Sequence, residues 1–188
     1  MSLYKKSELK VRSQNPRLAK AMITDSLNKI SNSTEMSFDI FLSHRFIDKD
    51  DILPIVEDLQ KEGLSVYVDW QTDPGLDRGK VTKKTAELLK KRMKQCKALI
   101  FASTLNSSSS KWMPWELGFM DALTNKVAIL PIVDDSHVSD KFEGQEYLGI
   151  YPYIDRDGNQ VLFVNDSSDV YINLKSWMSG IKPYKRHT

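Results

Sequence analysis

Short apolar runs alternate with helix-like segments through the middle of this chain, and this alternation restricts the folds that it can adopt. The runs are short and rich in β-branched and aromatic residues, which is typical of buried strands. The segments between them repeat apolar residues at helical spacing, as Ile52, Ile55, Val56 and Leu59 do. The predicted order is strand Phe38 to Leu42, helix Ile52 to Leu59, strand Leu64 to Val68, helix Val81 to Met93, strand Ala98 to Ala102, helix Trp112 to Leu123 and strand Val127 to Val133.

A β-α-β-α-β-α-β order is typical of an open parallel sheet, because each helix carries the chain back to the edge where the next strand begins. We therefore predict a flavodoxin-like α/β fold, an open parallel sheet of about five strands with helices on both faces. After Asp134 the pattern weakens. We expect edge strands at Tyr147 to Tyr153 and at Val161 to Val164, with a turn at Asp155 to Gly158 between them, and a closing helix at Asp169 to Met178.

The segment Met1 to Thr34 differs from this pattern, because basic residues outnumber acidic ones in it. Ile23, Leu27 and Ile30 lie at i, i+4 and i+7, which predicts a helix, and the run Ser31 to Thr34 indicates a break after it. We expect the basic face of this segment to be solvated surface. The chain is therefore predicted to have three parts: an N-terminal helical extension over 1–35, a main domain over 36–180 and a C-terminal tail over 181–188.

Composition argues against several classes of function. With 188 residues, 40% of them hydrophobic and 28% charged, the chain suits one compact soluble domain. No apolar run approaches the roughly 20 residues that span a bilayer, and the polar N-terminus does not resemble a secretory signal. A single cysteine, Cys96, fits a reducing compartment, so we expect a cytoplasmic protein. The net charge of +2 does not indicate a nucleic-acid partner, and His44, His137 and His187 are too isolated to bind a metal ion.

Ligands bind open parallel sheets in the crevice outside the carboxyl ends of the strands. In this chain, that crevice is flanked by the loops Ser43 to Asp51, Asp69 to Lys80 and Ser103 to Lys111, and by the segment after Val133. These loops carry hydroxyls, cations and indoles, which suit a polar ligand with sugar hydroxyls, phosphates and a ring. The sequence contains no GxGxxG after the first strand, no GxxxxGK[ST] and no Gly-x-Ser-x-Gly, so neither a glycine-rich phosphate loop nor a serine hydrolase is expected.

Glu116 is an acidic residue among large apolar ones. Trp112, Phe119 and Met120 lie at i−4, i+3 and i+4 from it, on the same predicted helix face. Burial of an unpaired polar group costs about 2–7 kcal/mol, and burial of an unpaired charge costs more. Two interpretations remain open at this point. Glu116 either stabilises the start of its helix through the helix dipole or is retained for chemistry.

Three motifs in the same order resemble those of Toll/interleukin-1 receptor (TIR) domains of the bacterial, NAD-cleaving type. The resemblance extends from about Ser37 to Val133. Its motifs are FDIFLSHR at 38–45, like the first strand and its loop; GLSVYVD at 63–69, continued by 74–81, like the second strand and the long BB loop; and SKWMPWEL at 110–117, like the helix with the catalytic glutamate four residues after a tryptophan.

This resemblance implies an NAD glycohydrolase or ADP-ribosyl cyclase, a hydrolase-type enzyme that cleaves the nicotinamide–ribose bond of NAD+. NAD+ is its substrate, and no separate cofactor is expected. It makes Glu116 the catalytic carboxylate, which stabilises the positive charge that develops on the ribose. Trp112 matches the aromatic wall of the pocket, and Arg45 matches a cation that contacts the dinucleotide. The remaining substrate-binding residues that it implies are Ser43, His44, Arg78, Lys80 and Val81.

The resemblance also implies control by assembly, since family NADases are typically inactive as monomers and neighbouring BB loops complete their sites. We therefore expect self-association through TIR–TIR contacts, an effector or sensor partner protein, and a role in bacterial antiphage signalling through ADP-ribose products. Two alternatives remain open. One is a non-catalytic adaptor that uses the same surfaces only for homotypic binding, and the other is an enzyme like the nucleoside deoxyribosyltransferases, which use a glutamate at an anomeric carbon.

Overall fold

The computed structural model describes residues 1–15, 37–76, 79, 82–137, 142 and 146–185. Within these ranges the chain forms one sheet of nine strands, together with six helices. The strands are β1 Tyr4–Lys5, β2 Phe38–Ser43, β3 Val66–Tyr67, β4 Cys96–Ser103, β5 Val127–Val133, β6 Tyr153–Arg156, β7 Leu162–Ser167, β8 Val170–Asn173 and β9 Tyr184–Lys185. The helices are α1 Lys6–Ser13, α2 Lys49–Lys61, α3 Asp69–Thr72, α4 Lys83–Lys94, α5 Met113–Thr124 and α6 Leu174–Met178.

The sheet is parallel in its first part and antiparallel in its last. Its order is β3-β2-β4-β5-β6-β7-β8-β9, and β1 pairs in parallel with β5. The pairings among β2 to β6 are parallel, whereas those from β6 to β9 are antiparallel. The predicted parallel α/β core is therefore confirmed, but the expectation of about five strands was too low. The carboxyl ends of β2, β3, β4 and β5 meet at one edge.

Alternation along the central strands builds a core on each face of the sheet. Ile40 and Leu42 point into one core, which α2 and α6 cover, and Phe41 points into the other, which α4 and α5 cover. Side chains in a strand alternate between faces, so a strand with an apolar centre such as Ile40 to Leu42 of β2 is buried on both sides. The predicted helices on both faces are thus confirmed, and α5 carries Glu116 in the second layer.

Two predicted elements near the end of the chain were wrong. The range Tyr147 to Tyr153 contains a 3₁₀ segment, Glu146–Ile150, and the strand β6 begins only at Tyr153. This segment has no buried residue, so it lacks the half-buried face that a paired strand requires. The range Asp169 to Met178 is not one helix but β8 followed by α6. Asn173 divides the two elements, because its side chain accepts a hydrogen bond from the Ser176 amide and so caps the helix.

The N-terminus belongs to the sheet. Tyr4 and Lys5 lie in register with Ile132 and Val133 of β5, and α1 follows immediately. The predicted helix with Ile23, Leu27 and Ile30, and the boundary at residue 35, fall within 16–36, outside the described residues. Within the predicted tail, β9 pairs with β8. In the part of the chain that the structure describes, no helix has the length and apolar character needed to cross a membrane.

Candidate active site

Glu116 lies in the first turn of α5, on its buried face. Its side chain is fully buried, together with those of Met113, Leu117 and Met120. Pro114 occupies a position in the first turn, where the missing N–H costs little, and the Ser110 hydroxyl accepts a hydrogen bond from the Met113 amide. The local sequence therefore begins a helix directly after the loop that follows β4. As a result, the carboxylate lies at the ligand-binding edge of the sheet.

Ser43 contacts this carboxylate directly. It is the last residue of β2 and is fully buried, and its hydroxyl donates a hydrogen bond of 2.6 Å to Glu116 Oε2. A hydrogen bond to an ionised acceptor is stronger than one between neutral groups, and a polar group buried in the protein interior needs such a partner. The first and third matched motifs thus meet at one buried contact.

His44 is buried beside Ser43 and supports an indole. The Trp70 Nε1–H donates to His44 Nε2 over 2.8 Å, and His44 Nδ1 lies 2.9 Å from the Leu42 carbonyl oxygen. An indole N–H can only donate, so Nε2 accepts and Nδ1 carries the proton that it donates to Leu42. Asp69 lies 3.6 Å from the same Nε2. In this arrangement, His44 orients the side chain of Trp70.

Arg45 connects the loop after β2 to the loop after β4. Its guanidinium donates to the Asn106 carbonyl oxygen over 3.1 Å and to the Ser109 hydroxyl. The same two loops are joined again at Asp48, whose carboxylate accepts from the Thr104 hydroxyl at 2.8 Å and from the side-chain Nδ2 of Asn106 at 2.6 Å. These bonds hold the cation at the sheet edge.

A cavity of about 840 Å³ opens between these loops. Three of the predicted site residues line it, namely His44, Arg45 and Trp112. Glu116 is not among the lining residues, because its side chain is fully buried. Its backbone is joined to this wall, since the Trp112 carbonyl oxygen accepts from the Glu116 amide at 2.8 Å. The other lining residues are Phe46, Ile47, Lys49, Asp69, Trp70, Pro74, Leu76, Gly79, Ser109, Ser110 and Lys111.

The loop that follows β3 and the short helix α3 is anchored at Asp73, where it leaves α3. The Arg92 guanidinium of α4 donates two hydrogen bonds to the Asp73 carboxylate, at 2.8 and 2.6 Å, and the Tyr67 hydroxyl donates to the same group at 2.9 Å. The hydrogen bond with Asp73 raises the pKa of Arg92, and burial, followed by the charge of Asp73, raises the pKa of Tyr67. The predicted substrate-binding residues Arg78, Lys80 and Val81 lie outside the described residues.

The cavity combines aromatic walls with positive charge. Trp70 and Trp112 contribute flat apolar surface, whereas Arg45, Lys49 and Lys111 contribute cations, a combination that suits a ring together with phosphates. Trp70 and Lys111 were not among the predicted site residues. The sequence did offer a signal for Trp70, because it directly follows Asp69 at the end of the predicted strand Leu64 to Val68. Among the described residues, no group of three or more His, Cys, Asp or Glu side chains has an arrangement suited to a metal ion.

The comparisons with known proteins identify the family of this chain. No protein-family model matches it. It is similar to the probable 3′ cyclic ADP-D-ribose synthase ThsB′ of Bacillus cereus (strain MSX-D12), with 44% identity over 146 residues, which cover 75% of each chain. It is also similar to the putative cyclic ADP-D-ribose synthase TIR2 of Cytobacillus dafuensis, with 31% identity over 116 residues, or 60% of this chain but only 31% of TIR2. With 44% identity over 75% of both chains, and with the TIR motifs assembled at one sheet edge, this chain belongs to the bacterial TIR family that includes ThsB′.

Proposed function

We propose that this chain cleaves the nicotinamide–ribose bond of NAD+ and that Glu116 is its catalytic carboxylate. Two observations carry the proposal: the buried contact of Glu116 with Ser43, and the adjacent cavity, lined from His44 onward, with two tryptophans and three cations. NAD+ supplies the groups that such a cavity suits: rings, ribose hydroxyls and a diphosphate. In this proposal NAD+ is consumed as the substrate, and no separate cofactor takes part.

The reaction needs few protein groups. The C1–N bond between ribose and nicotinamide breaks, its electron pair leaves with the nicotinamide, and positive charge develops on the ribose. A fixed carboxylate stabilises that charge best where water is excluded, as it is around the fully buried Glu116. The cations of the cavity would hold the diphosphate, and the indoles would pack against the rings.

The names of the relatives favour cyclisation. ThsB′ is named a probable 3′ cyclic ADP-D-ribose synthase, and TIR2 a putative cyclic ADP-D-ribose synthase. A cyclic product requires that a nucleophilic atom of the same ADP-ribose molecule, rather than water, bonds to the ribose carbon that nicotinamide leaves. That nucleophile, when it is a hydroxyl, releases its proton as the bond forms. We propose this internal capture as the main reaction and hydrolysis to ADP-ribose as the competing one.

The burial of Glu116 also supports control by assembly. Glu116 is fully buried and does not line the described cavity, so a substrate there reaches the carboxylate only if part of the cavity wall moves. We propose that contacts between protomers through the loop after β3, or with a sensor or effector protein, cause this movement. The cyclic product would then act as a signal in bacterial antiphage defence. Specific activity is expected to rise with protein concentration or with a crowding agent, whereas an active monomer with constant specific activity would contradict this proposal.

Mass spectrometry of the products tests the proposed reaction. Purified protein is incubated with NAD+ and with a mixture of nucleosides, over a range of protein concentrations. We expect free nicotinamide and a product that weighs one water less than ADP-ribose. ADP-ribose alone would show hydrolysis instead of cyclisation. A transferred base in the nucleoside mixture, without nicotinamide release, would show a nucleoside transferase, and no turnover at any concentration would contradict an enzymatic role.

A further inference from the structure

We infer that Ser43 is a positioning residue for Glu116 and not a residue that binds the substrate. The inference rests on the proposed function of Glu116 and concerns how its carboxylate is held. Both side chains are fully buried, and the Ser43 hydroxyl donates to Glu116 Oε2 over 2.6 Å. A serine hydroxyl has one proton to donate, and the carboxylate takes it. That proton is therefore not available to a ribose hydroxyl or a phosphate.

The two backbones that carry this contact are both fixed. Ser43 ends a central strand that pairs with β3 on one side and with β4 on the other, where it lies in register with Phe101. Glu116 lies inside α5, and its amide donates to the Trp112 carbonyl oxygen at 2.8 Å. The flexible part is the Glu116 side chain between them. The hydrogen bond from Ser43 restricts that side chain at its far end.

Restricting the carboxylate fixes the direction in which its negative charge acts. The side chain of a glutamate has several rotatable bonds, and rotation about them moves the carboxylate by ångströms. A displacement of about 1 Å of a catalytic group costs on the order of 100-fold in rate. A residue that holds the group in place therefore affects the turnover rate, whereas the affinity for NAD+ depends on the walls of the cavity.

The neighbouring residue has a separate task. His44 turns its ring toward Trp70 and the Leu42 carbonyl oxygen, and it lines the cavity. Ser43 does not line the cavity. The two adjacent residues of the first motif thus act on different parts of the site. Ser43 acts on the carboxylate, and His44 acts on the cavity wall.

Steady-state kinetics of Ser43→Ala test the inference. Loss of the hydroxyl is expected to lower kcat by about 10- to 100-fold and to leave KM for NAD+ within about twofold, because the substrate contacts remain. A higher KM with unchanged kcat would show that Ser43 binds the substrate, and unchanged kinetics would show that it has no role. Either result overturns the inference.

Ser65→Ala is the matched control. The Ser65 hydroxyl also donates to a carboxylate, that of Asp39, at 2.8 Å, but this pair lies at the opposite edge of the sheet, before β3. Both variants lose a hydrogen bond between a serine and a carboxylate. We expect Ser65→Ala to keep the kcat of the wild type. An equal loss of kcat in both variants would indicate a general effect on the fold and would overturn the inference.

A double-mutant cycle on stability examines the contact without relying on activity. The denaturant midpoint is measured for the wild type, Ser43→Ala, Glu116→Ala and the double variant. Ser43→Ala should lower the midpoint in the wild type, because it leaves a buried carboxylate with one donor fewer, and should lower it less in Glu116→Ala. Equal shifts in both backgrounds would show that the two side chains do not interact and would overturn the inference. If the wild type does not cleave NAD+, the proposed function fails, but the cycle still shows whether Ser43 and Glu116 interact.

Discussion

At the scale of the residue, Glu116 is held by two elements that are distant in the sequence. Its backbone belongs to α5, but its carboxylate accepts a hydrogen bond from Ser43, 73 positions earlier, at the end of β2. Packing of α5 against the sheet therefore brings the side chains of Ser43 and Glu116 together. The carboxylate needs this partner, because an ionised group inside a protein is costly to bury alone.

Arg45 is predicted to contact the dinucleotide, and we propose that its guanidinium binds the diphosphate. On this proposal, we expect Arg45→Gln to raise KM by about tenfold and to change kcat little, because the variant would lose a cation that interacts with the phosphates. The measurement is KM for NAD+ at two salt concentrations, and the variant should show the weaker dependence on salt. Lys61→Gln, an exposed change at the end of α2, is the control and should behave as the wild type. An unchanged KM in Arg45→Gln would contradict this role.

Trp70 is expected to form part of the cavity wall only while His44 orients it. Trp70→Phe keeps an aromatic ring but loses the N–H that donates to His44 Nε2. We expect a KM for NAD+ about three- to tenfold higher, because the ring loses its fixed orientation. His44→Ala should raise KM to a similar extent, and the double variant should add little to either change. Fully additive effects would show that the two side chains act separately.

The resemblance to TIR motifs was sufficient to make Glu116, Arg45 and Trp112 candidates before the structure was known. It did not indicate that Ser43 contacts Glu116 or that His44 contacts Trp70. Those contacts depend on which strand ends lie next to each other, and this is set by the sheet order β3-β2-β4. Spacing along the chain does not encode such distances.

At the scale of the element, the loop after β3 depends on one charged contact. Asp73 lies where the loop leaves α3, and Arg92 holds it with two hydrogen bonds. Both side chains are mostly buried, with 13% and 11% of their surface exposed. Because water screens such a pair only in part, loss of either partner leaves a charge that is poorly compensated. We infer that the pair fixes the base of the loop.

We expect Arg92→Met to lower the free energy of unfolding by about 2 kcal/mol, because Asp73 loses two charge-assisted hydrogen bonds. Limited proteolysis should also cleave the variant faster within 73–81. Both quantities are compared with those of Lys94→Met, an exposed change on the same helix, which should stay within about 0.5 kcal/mol of the wild type. Equal free energies of unfolding in the two variants would show that the contact between Arg92 and Asp73 does not stabilise the fold.

Strongly patterned elements could be predicted from the sequence, and weakly patterned ones could not. The predicted and observed bounds of β5 coincide at Val127 and Val133, because the run is apolar on both faces and flanked by polar residues. The range Asp169 to Met178 was mistaken for one helix, since Val170, Tyr171 and Ile172 can occupy either structure in isolation. Pairing of β8 with β7 decides in favour of a strand.

At the scale of the whole molecule, residues 1–15 pack against the rest of the described domain, and an ion pair contributes to this packing. Arg12 of α1 donates to both Asp58 oxygens of α2, at 2.8 and 2.6 Å, and the Tyr4 hydroxyl donates to the same carboxylate at 3.1 Å. Tyr4 is fully buried, and burial raises its pKa well above the usual value. Residues at the start of the chain thus stabilise the face of the sheet opposite to Glu116.

We expect Arg12→Met to lower the free energy of unfolding by about 3 kcal/mol, because the buried Asp58 loses the guanidinium that donates to both of its oxygens and keeps, among the described residues, only the exposed Lys61, 3.6 Å away, as a cation. Denaturant unfolding of the full chain measures the change. Lys10→Met, an exposed change on the same helix, serves as the control. If Arg12→Met were as stable as the control, this contact would not hold α1, and the buried Leu9 and the pairing of β1 would be sufficient to attach residues 1–15 to the domain.

We propose that Glu116 performs the cleavage of NAD+, and substitution of its carboxylate decides whether it does. Nicotinamide release is measured for the wild type, for Glu116→Gln and for Glu87→Gln, an exposed change on α4, after thermal melts establish that all three are folded. We expect a loss of about 1,000-fold in Glu116→Gln and wild-type activity in Glu87→Gln. Release of nicotinamide by folded Glu116→Gln at the rate of the wild type would contradict the proposal.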